Sequence, residues 1–140
     1  MDLKKFASCL KKAISTKAAY AALDKGSGGT WTAGGCWTLA HAVAGLVDGT
    51  LVALVADLWG HSIVQHVVVM VGDKYLDADG LSTYHQLLHR WEVGEGLGRL
   101  RLVPFTPALQ HSTMHKGHAV CDTGTVTAIL PALMKCARRR

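Results

Sequence analysis

The chain has 140 residues, 49% of them hydrophobic, which is enough for one domain with a real core and argues against disorder along its length. Its formal charge of +5 sits at the ends: residues 1–23 carry Lys4, Lys5, Lys11, Lys12 and Lys17 against Asp2, the last residues carry Lys135 and Arg138 to Arg140, and the stretch between is mildly acidic. A nucleic-acid reader with a basic body is excluded by that distribution, and a membrane span is excluded in the most apolar window, Leu39 to Leu58, by His41, Gly45, Asp48, Gly49 and Asp57.

In chain order, Leu3, Phe6, Leu10 and Ile14, with Tyr20 and Leu23, predict an amphipathic helix over 3–23. Lysines recur through it without a continuous apolar run, so no signal peptide is read there. "DKGSGGTWTAGG" (24–35) is a glycine-rich loop. Cys36 opens a second helix with Leu39, Val43, Leu46 and Val47 on one side, ended by Asp48-Gly49. Strands follow at 50–56 and 63–71, joined by "DLWGHS". Gly72-Asp73 is a two-residue hairpin signal, and "KYLDAD" (74–79) is the returning strand, ended by Gly80. Ser82 or Thr83 caps a short helix to about Trp91. "RLRLV" (99–103) is a further strand. Residues 105–122 read as an irregular, His-rich loop. The final helix starts or kinks at Pro131. One α+β domain over 1–140 is predicted, with the N-terminal helix at 1–23, a catalytic-type core at 30–104, the loop at 105–122, and the C-terminal helix and basic tail at 123–140.

Four cysteines, Cys9, Cys36, Cys121 and Cys136, form neither a C-x-x-C pair nor a disulfide framework. Reduced thiols and a cytoplasmic setting are therefore expected, with a translocated effector compatible. Cys9, Cys121 and Cys136 read as small hydrophobes. Cys36 differs. A helix start offers unpaired amides and the positive end of the dipole, both of which favour thiolate. The preceding glycines, Gly34 and Gly35, leave the backbone open to a substrate carbonyl, and the Cys36 amide is placed to donate to an oxyanion.

A thiol nucleophile needs a base. With Gly72-Asp73 as the turn, Val71 pairs with Lys74, His66 lies opposite Asp79, and Asp77 lies opposite Val68 on the same face. One face of the hairpin then carries His66, Asp77 and Asp79, a base with carboxylates to orient it. Val67, Val69 and Val71 point the other way.

"GGCWTLA" (34–40) resembles the G-x-C-W segment around the nucleophile of papain-like cysteine peptidases. "QHVVVMVG" (65–72) resembles the strand bearing their catalytic His. "YLDADG" (75–80) resembles their Asn-x-Trp-Gly strand, with Asp77 on the Asn, Asp79 on the Trp and Gly80 on the Gly. An Asp orienter is more similar to the transglutaminase branch of that superfamily. The resemblance covers about residues 30–91. It implies a small papain-like or transglutaminase-like fold, with a nucleophile-bearing helix packed on an antiparallel sheet. It further implies Cys36 as nucleophile, His66 as base and Asp77 as orienter, with Asp79 as understudy. The oxyanion Gln of the family falls on Thr30, so Thr30, Thr32 or the backbone would substitute; Gly35 and Trp37 flank the nucleophile as oxyanion or substrate-binding positions.

The function expected is thiol-dependent acyl transfer on a protein or peptide-like amide: hydrolysis, deamidation or transamidation. No cofactor, metal, nucleic-acid partner or membrane insertion is expected. Two rivals are a non-enzymatic binding or inhibitor protein on the same fold and a membrane-surface adaptor using the basic ends. His111, His115, His118 and Cys121 are zinc-ligand types at loose spacing and read as a solvated loop.

Overall fold

The computed structural model describes residues 1–115 and 120–138. Among these are six α-helices and one five-stranded antiparallel sheet, an α+β arrangement. None of these helices is long and apolar enough to cross a membrane.

The helix expected over 3–23 is two helices, α1 (Leu3–Ile14) and α2 (Lys17–Lys25). Asp2 caps the first, its Oδ1 accepting from the amides of Lys4 and Lys5 at 3.0 and 3.2 Å. Thr16 is extended and caps the second, its hydroxyl accepting from the Ala19 amide at 3.1 Å. Apolar periodicity runs through this break because both helices bury the same side, through Phe6, Leu10 and Ile14 and then Ala19 and Leu23. Helix α3 (Cys36–Val47) follows the glycine loop and ends on Asp48, which is left-handed at φ 53°.

Strands β1 (Thr50–Leu58) and β2 (His61–Val71) form a longer hairpin than the apolar runs suggest. Its turn is Trp59-Gly60, both at positive φ (49° and 78°), the twist a two-residue hairpin favours. A bulge lies after Leu54: Leu54 pairs with His66 and Val55 with Val64, so Gln65 has no residue opposite. β3 (Lys74–Asp77) pairs with β2 from Val71↔Lys74 to Val69↔Leu76, the register expected from the Gly72-Asp73 turn. It is shorter than expected. Gly80 does not end it but opens a separate strand, β4 (Gly80–Ser82), which folds back on β3. β5 (Arg101–Pro104) pairs with β1 and gives the order β4-β3-β2-β1-β5. Its Pro104 is tolerated because β5 is an edge strand.

Between β4 and β5, α4 (Tyr84–His89) is capped by a reciprocal Thr83–Gln86 box and runs on into a π-helical turn, Arg90–Gly94. Residues 105–122 are not irregular throughout. Helix α5 (Pro107–His115) lies there, with Thr106 capping the Leu109 amide at 3.2 Å and Pro107 in the first turn. His111 is on α5. His118 and the side chain of His115 lie outside the described residues, and no metal-binding cluster occurs among those described. α6 (Thr123–Arg138) starts before Pro131 and continues through it.

Strand alternation divides the core. Ala53, Val55, Val67, Val69 and Leu76 face α3, with α1, α2 and α6 completing that layer. Val52, Leu54, Val68 and Tyr75 face the other way and are covered by Leu87, Trp91 and Leu100. Cys9 of α1 and Cys136 of α6 are joined by a disulfide with Cα atoms 5.5 Å apart. This corrects the reading of both as isolated apolar thiols. Cysteine spacing was silent because the partners are 127 residues apart and meet only when the terminal helices pack.

Candidate active site

Cys36 is the first residue of α3 and His66 stands on β2, so the helix brings the thiol to the sheet. By alternation His66 belongs to the Leu54 face, away from α3. The early end of β3 removes that separation. β3 stops pairing with β2 at Val69↔Leu76, so only β1 flanks His66, through Leu54, and the ring lies beside Cys36 as well as Trp91. Nε2 bonds Asp77 Oδ2 at 2.8 Å. Trp91 stacks on the ring, with centroids 3.9 Å apart and planes 21° from parallel. Nδ1 is buried without a hydrogen-bond partner, and Cys36 is a neighbour of the ring.

All three residues are nearly sealed, with exposures of 7% for Cys36, 0% for His66 and 6% for Asp77. Burial alone would push the Cys36 thiol up. The His66 ring, as hydrogen-bond partner and as positive charge, together with the backbone at Val67 and Trp37, outweighs burial and holds the thiol below the ordinary cysteine value. Burial alone would likewise depress His66. Its bond to Asp77, then that to Cys36, and their charges raise it instead. The two shifts bring the thiol down and the imidazole up, toward one another.

Asp77 is the expected orienter. Its Oδ1 accepts the Asp79 amide at 2.9 Å, and its Oδ2 accepts both His66 and Arg90 Nη2, the latter at 2.7 Å. Asp79 does not share the His66 face. It stands in the turn after β3 with its side chain 46% exposed, and it pairs with Arg90 Nε at 3.3 Å. The register that would set it against His66 ends before reaching it.

The oxyanion positions are placed differently from expectation. Gly35 is N-terminal to α3, but its amide donates to Thr30 O at 2.9 Å. A Cβ there would come 2.7 Å from Leu23 Cδ1 and 2.9 Å from Thr30 O, so this glycine serves close packing of the loop and leaves no opening for a substrate. The Thr30 hydroxyl accepts the Ala33 amide at 3.0 Å and faces Thr32 Oγ1 at 3.3 Å, within its own turn. Trp37 is buried edge-on against Phe105. The donors left for an oxyanion are the first-turn amides of α3, which have no partner within the helix. The space bounded by Trp31, Cys36, Val67 and Leu76 is too narrow for a water molecule.

Three contributors escaped sequence reading. Arg90 grips Asp77 from a π-turn, a backbone form without a residue signature. Trp91 reads as core by its spacing, and it is core, but it is also the lid of the His66 ring. Thr38 is fully buried in the first turn of α3. Its hydroxyl accepts the Asp122 amide at 3.0 Å and donates to Val120 O at 3.4 Å, which ties the segment before α6 to the Cys36 helix.

Comparison with models of protein families, with curated proteins and with solved structures finds no match to this chain.

Proposed function

We propose that the protein carries out thiol-dependent acyl transfer on a minimal papain-like or transglutaminase-like framework. The observation that carries this is the buried series Cys36, His66, Asp77, in which Asp77 holds Nε2 and Nδ1 is left without a partner. In this reading the Cys36 thiolate attacks an amide carbonyl and a C–S bond forms. The His66 imidazolium passes its proton to the leaving amine as the C–N bond breaks. The thioester is then cleaved by water, or by an amine, with His66 taking the attacking proton. Asp77 keeps the imidazole in one tautomer and stabilises its charged form. The substrate is a peptide, isopeptide or glutamine side-chain amide of a protein. The carboxylate orienter supports the transglutaminase-like branch, while the order Cys, His, Asp along the chain fits both branches.

A second reading, a binding or inhibitor protein without turnover, is favoured by two observations: Cys36 is sealed, and the Gly35 amide is already used. The two are separated with p-nitrophenyl acetate, an activated acyl donor small enough to ask only about the thiol. Acyl transfer expects a burst of nitrophenolate and an acetyl adduct mapped to Cys36, both lost in Cys36→Ala and His66→Ala. Absence of an adduct on Cys36 at any pH from 5 to 9 favours the binding reading.

A cytoplasmic site of action, the setting expected from the thiols, is part of this proposal only if the fold survives reduction of Cys9–Cys136, since that bond is of the kind oxidising compartments permit.

A further inference from the structure

Asp77 Oδ2 receives two donors at once, His66 Nε2 at 2.8 Å and Arg90 Nη2 at 2.7 Å. The carboxylate is 4% exposed, so its charge is divided between those two with little help from water. Arg90 is itself braced by Ser82 Oγ at 3.0 Å and by the Asp79 carboxylate at 3.3 Å. A four-charge series results, running Cys36, His66, Asp77, Arg90, with Asp79 beyond it.

We propose that Arg90 is a positioning residue that acts on His66 through Asp77: by occupying the same carboxylate oxygen it limits how tightly Asp77 holds a proton on His66. The inference deepens the acyl-transfer reading and rests on it for its biological meaning. A base that never gives up its proton cannot take the next one from water, and an unopposed buried carboxylate would hold His66 protonated. Arg90 is not needed to hold Asp77 in place, because the Asp79 amide fixes Oδ1 and β3 fixes the backbone.

Among the described residues, few charged groups surround the ring. Cys36 faces it from α3 and Asp77 from β3. From the π-turn, Glu92 is turned away to accept the Leu100 amide at 2.7 Å. Lys11 of α1 lies alongside Gly80. His85 and His89 of α4 are exposed, and opposite His66 on β1 stands Leu54.

The test follows the His66 titration by NMR of histidine-labelled protein, in a Cys36→Ser background so that the titration belongs to the imidazole alone. Arg90→Gln is expected to raise the His66 midpoint by about one pH unit, the low end of what a neighbouring charge does at this range. Arg90→Lys keeps the cation and stays near the parent. Asp79→Asn frees more of the Arg90 charge for Asp77 and lowers the midpoint. That shift should vanish when Arg90→Gln is also present. An unmoved or lowered midpoint in Arg90→Gln overturns the proposal. Should that variant not fold by circular dichroism, Asp79→Asn decides alone, a fall supporting and an unmoved midpoint overturning. Failure of the acyl-transfer reading appears elsewhere, as no acetyl adduct on Cys36, and leaves this titration interpretable.

Discussion

At the scale of single residues, Asp77 carries more of the site than its position in a four-residue strand suggests. It accepts from His66, from Arg90 and from the Asp79 amide. Asp77→Ala would leave a buried Nε2 and a guanidinium without their carboxylate. Breaking a buried pair from one side typically costs ~3–5 kcal/mol, and a loss at the lower end is expected here because Arg90 is part-exposed and keeps Asp79. Asp79→Ala should cost under about 1 kcal/mol, as for an exposed pair. Urea unfolding checks the ranking, which reverses if Asp79 is the true partner. The pH dependence has a definite sign. His66 is held protonated to higher pH than an unfolded histidine, near ~6.5. Its contribution is therefore complete below that value and is lost as pH rises through the folded one. Cys36→Ser, in which the Asp77 bond remains, should be more stable at pH 6 than at pH 8.5. Adding Asp77→Asn should remove most of that difference.

At the scale of elements, the sequence was most legible where a local rule had no tertiary competitor. Asp48-Gly49 ended α3, Gly72-Asp73 set the β2–β3 register, and Thr83 capped α4. The pairing of His66 with Asp77 followed from that register, and Cys36 joined it through its place at a helix start. Legibility failed where two local signals overlapped. Apolar spacing ran unbroken across Ser15-Thr16 and hid a cap, and the histidines of 105–122 drew attention from the Thr106-Pro107 start of α5. Arg90 and Trp91 were invisible in their roles because a π-turn, not a helical period, aims them at β2 and β3. The hidden cap is measurable: Thr16→Ala should destabilise the protein by about 1 kcal/mol in urea unfolding. No change would mean that α1 and α2 are separated by packing alone.

At the scale of the molecule, the disulfide closes nearly the whole chain by fixing α1 to α6, and α6 in turn packs on α3. Cross-linking so long a loop constrains the unfolded chain, so replacing both Cys9 and Cys136 by Ser should cost about 2–5 kcal/mol while leaving the far-ultraviolet circular dichroism unchanged. A smaller loss would mean that the helical layer holds itself together. Neither cysteine lines the Cys36 site, so the thiol chemistry should persist in that variant. With the bond formed, Cys36 and Cys121 are the free thiols. They are set apart electrostatically: burial and the neighbouring Asp122 push Cys121 up, while His66 and the local backbone bring Cys36 down. The most direct test of the central claim is therefore alkylation of the intact protein with iodoacetamide from pH 5 to 9, read by peptide mapping at each thiol. A reactive Cys36 thiolate held by His66 should label near pH 6 ahead of Cys121, and His66→Gln should abolish that lead. If both cysteines label only along the alkaline profile of an ordinary thiol, near ~8.5, or if Cys121 labels first, Cys36 is a structural residue and the acyl-transfer account is contradicted.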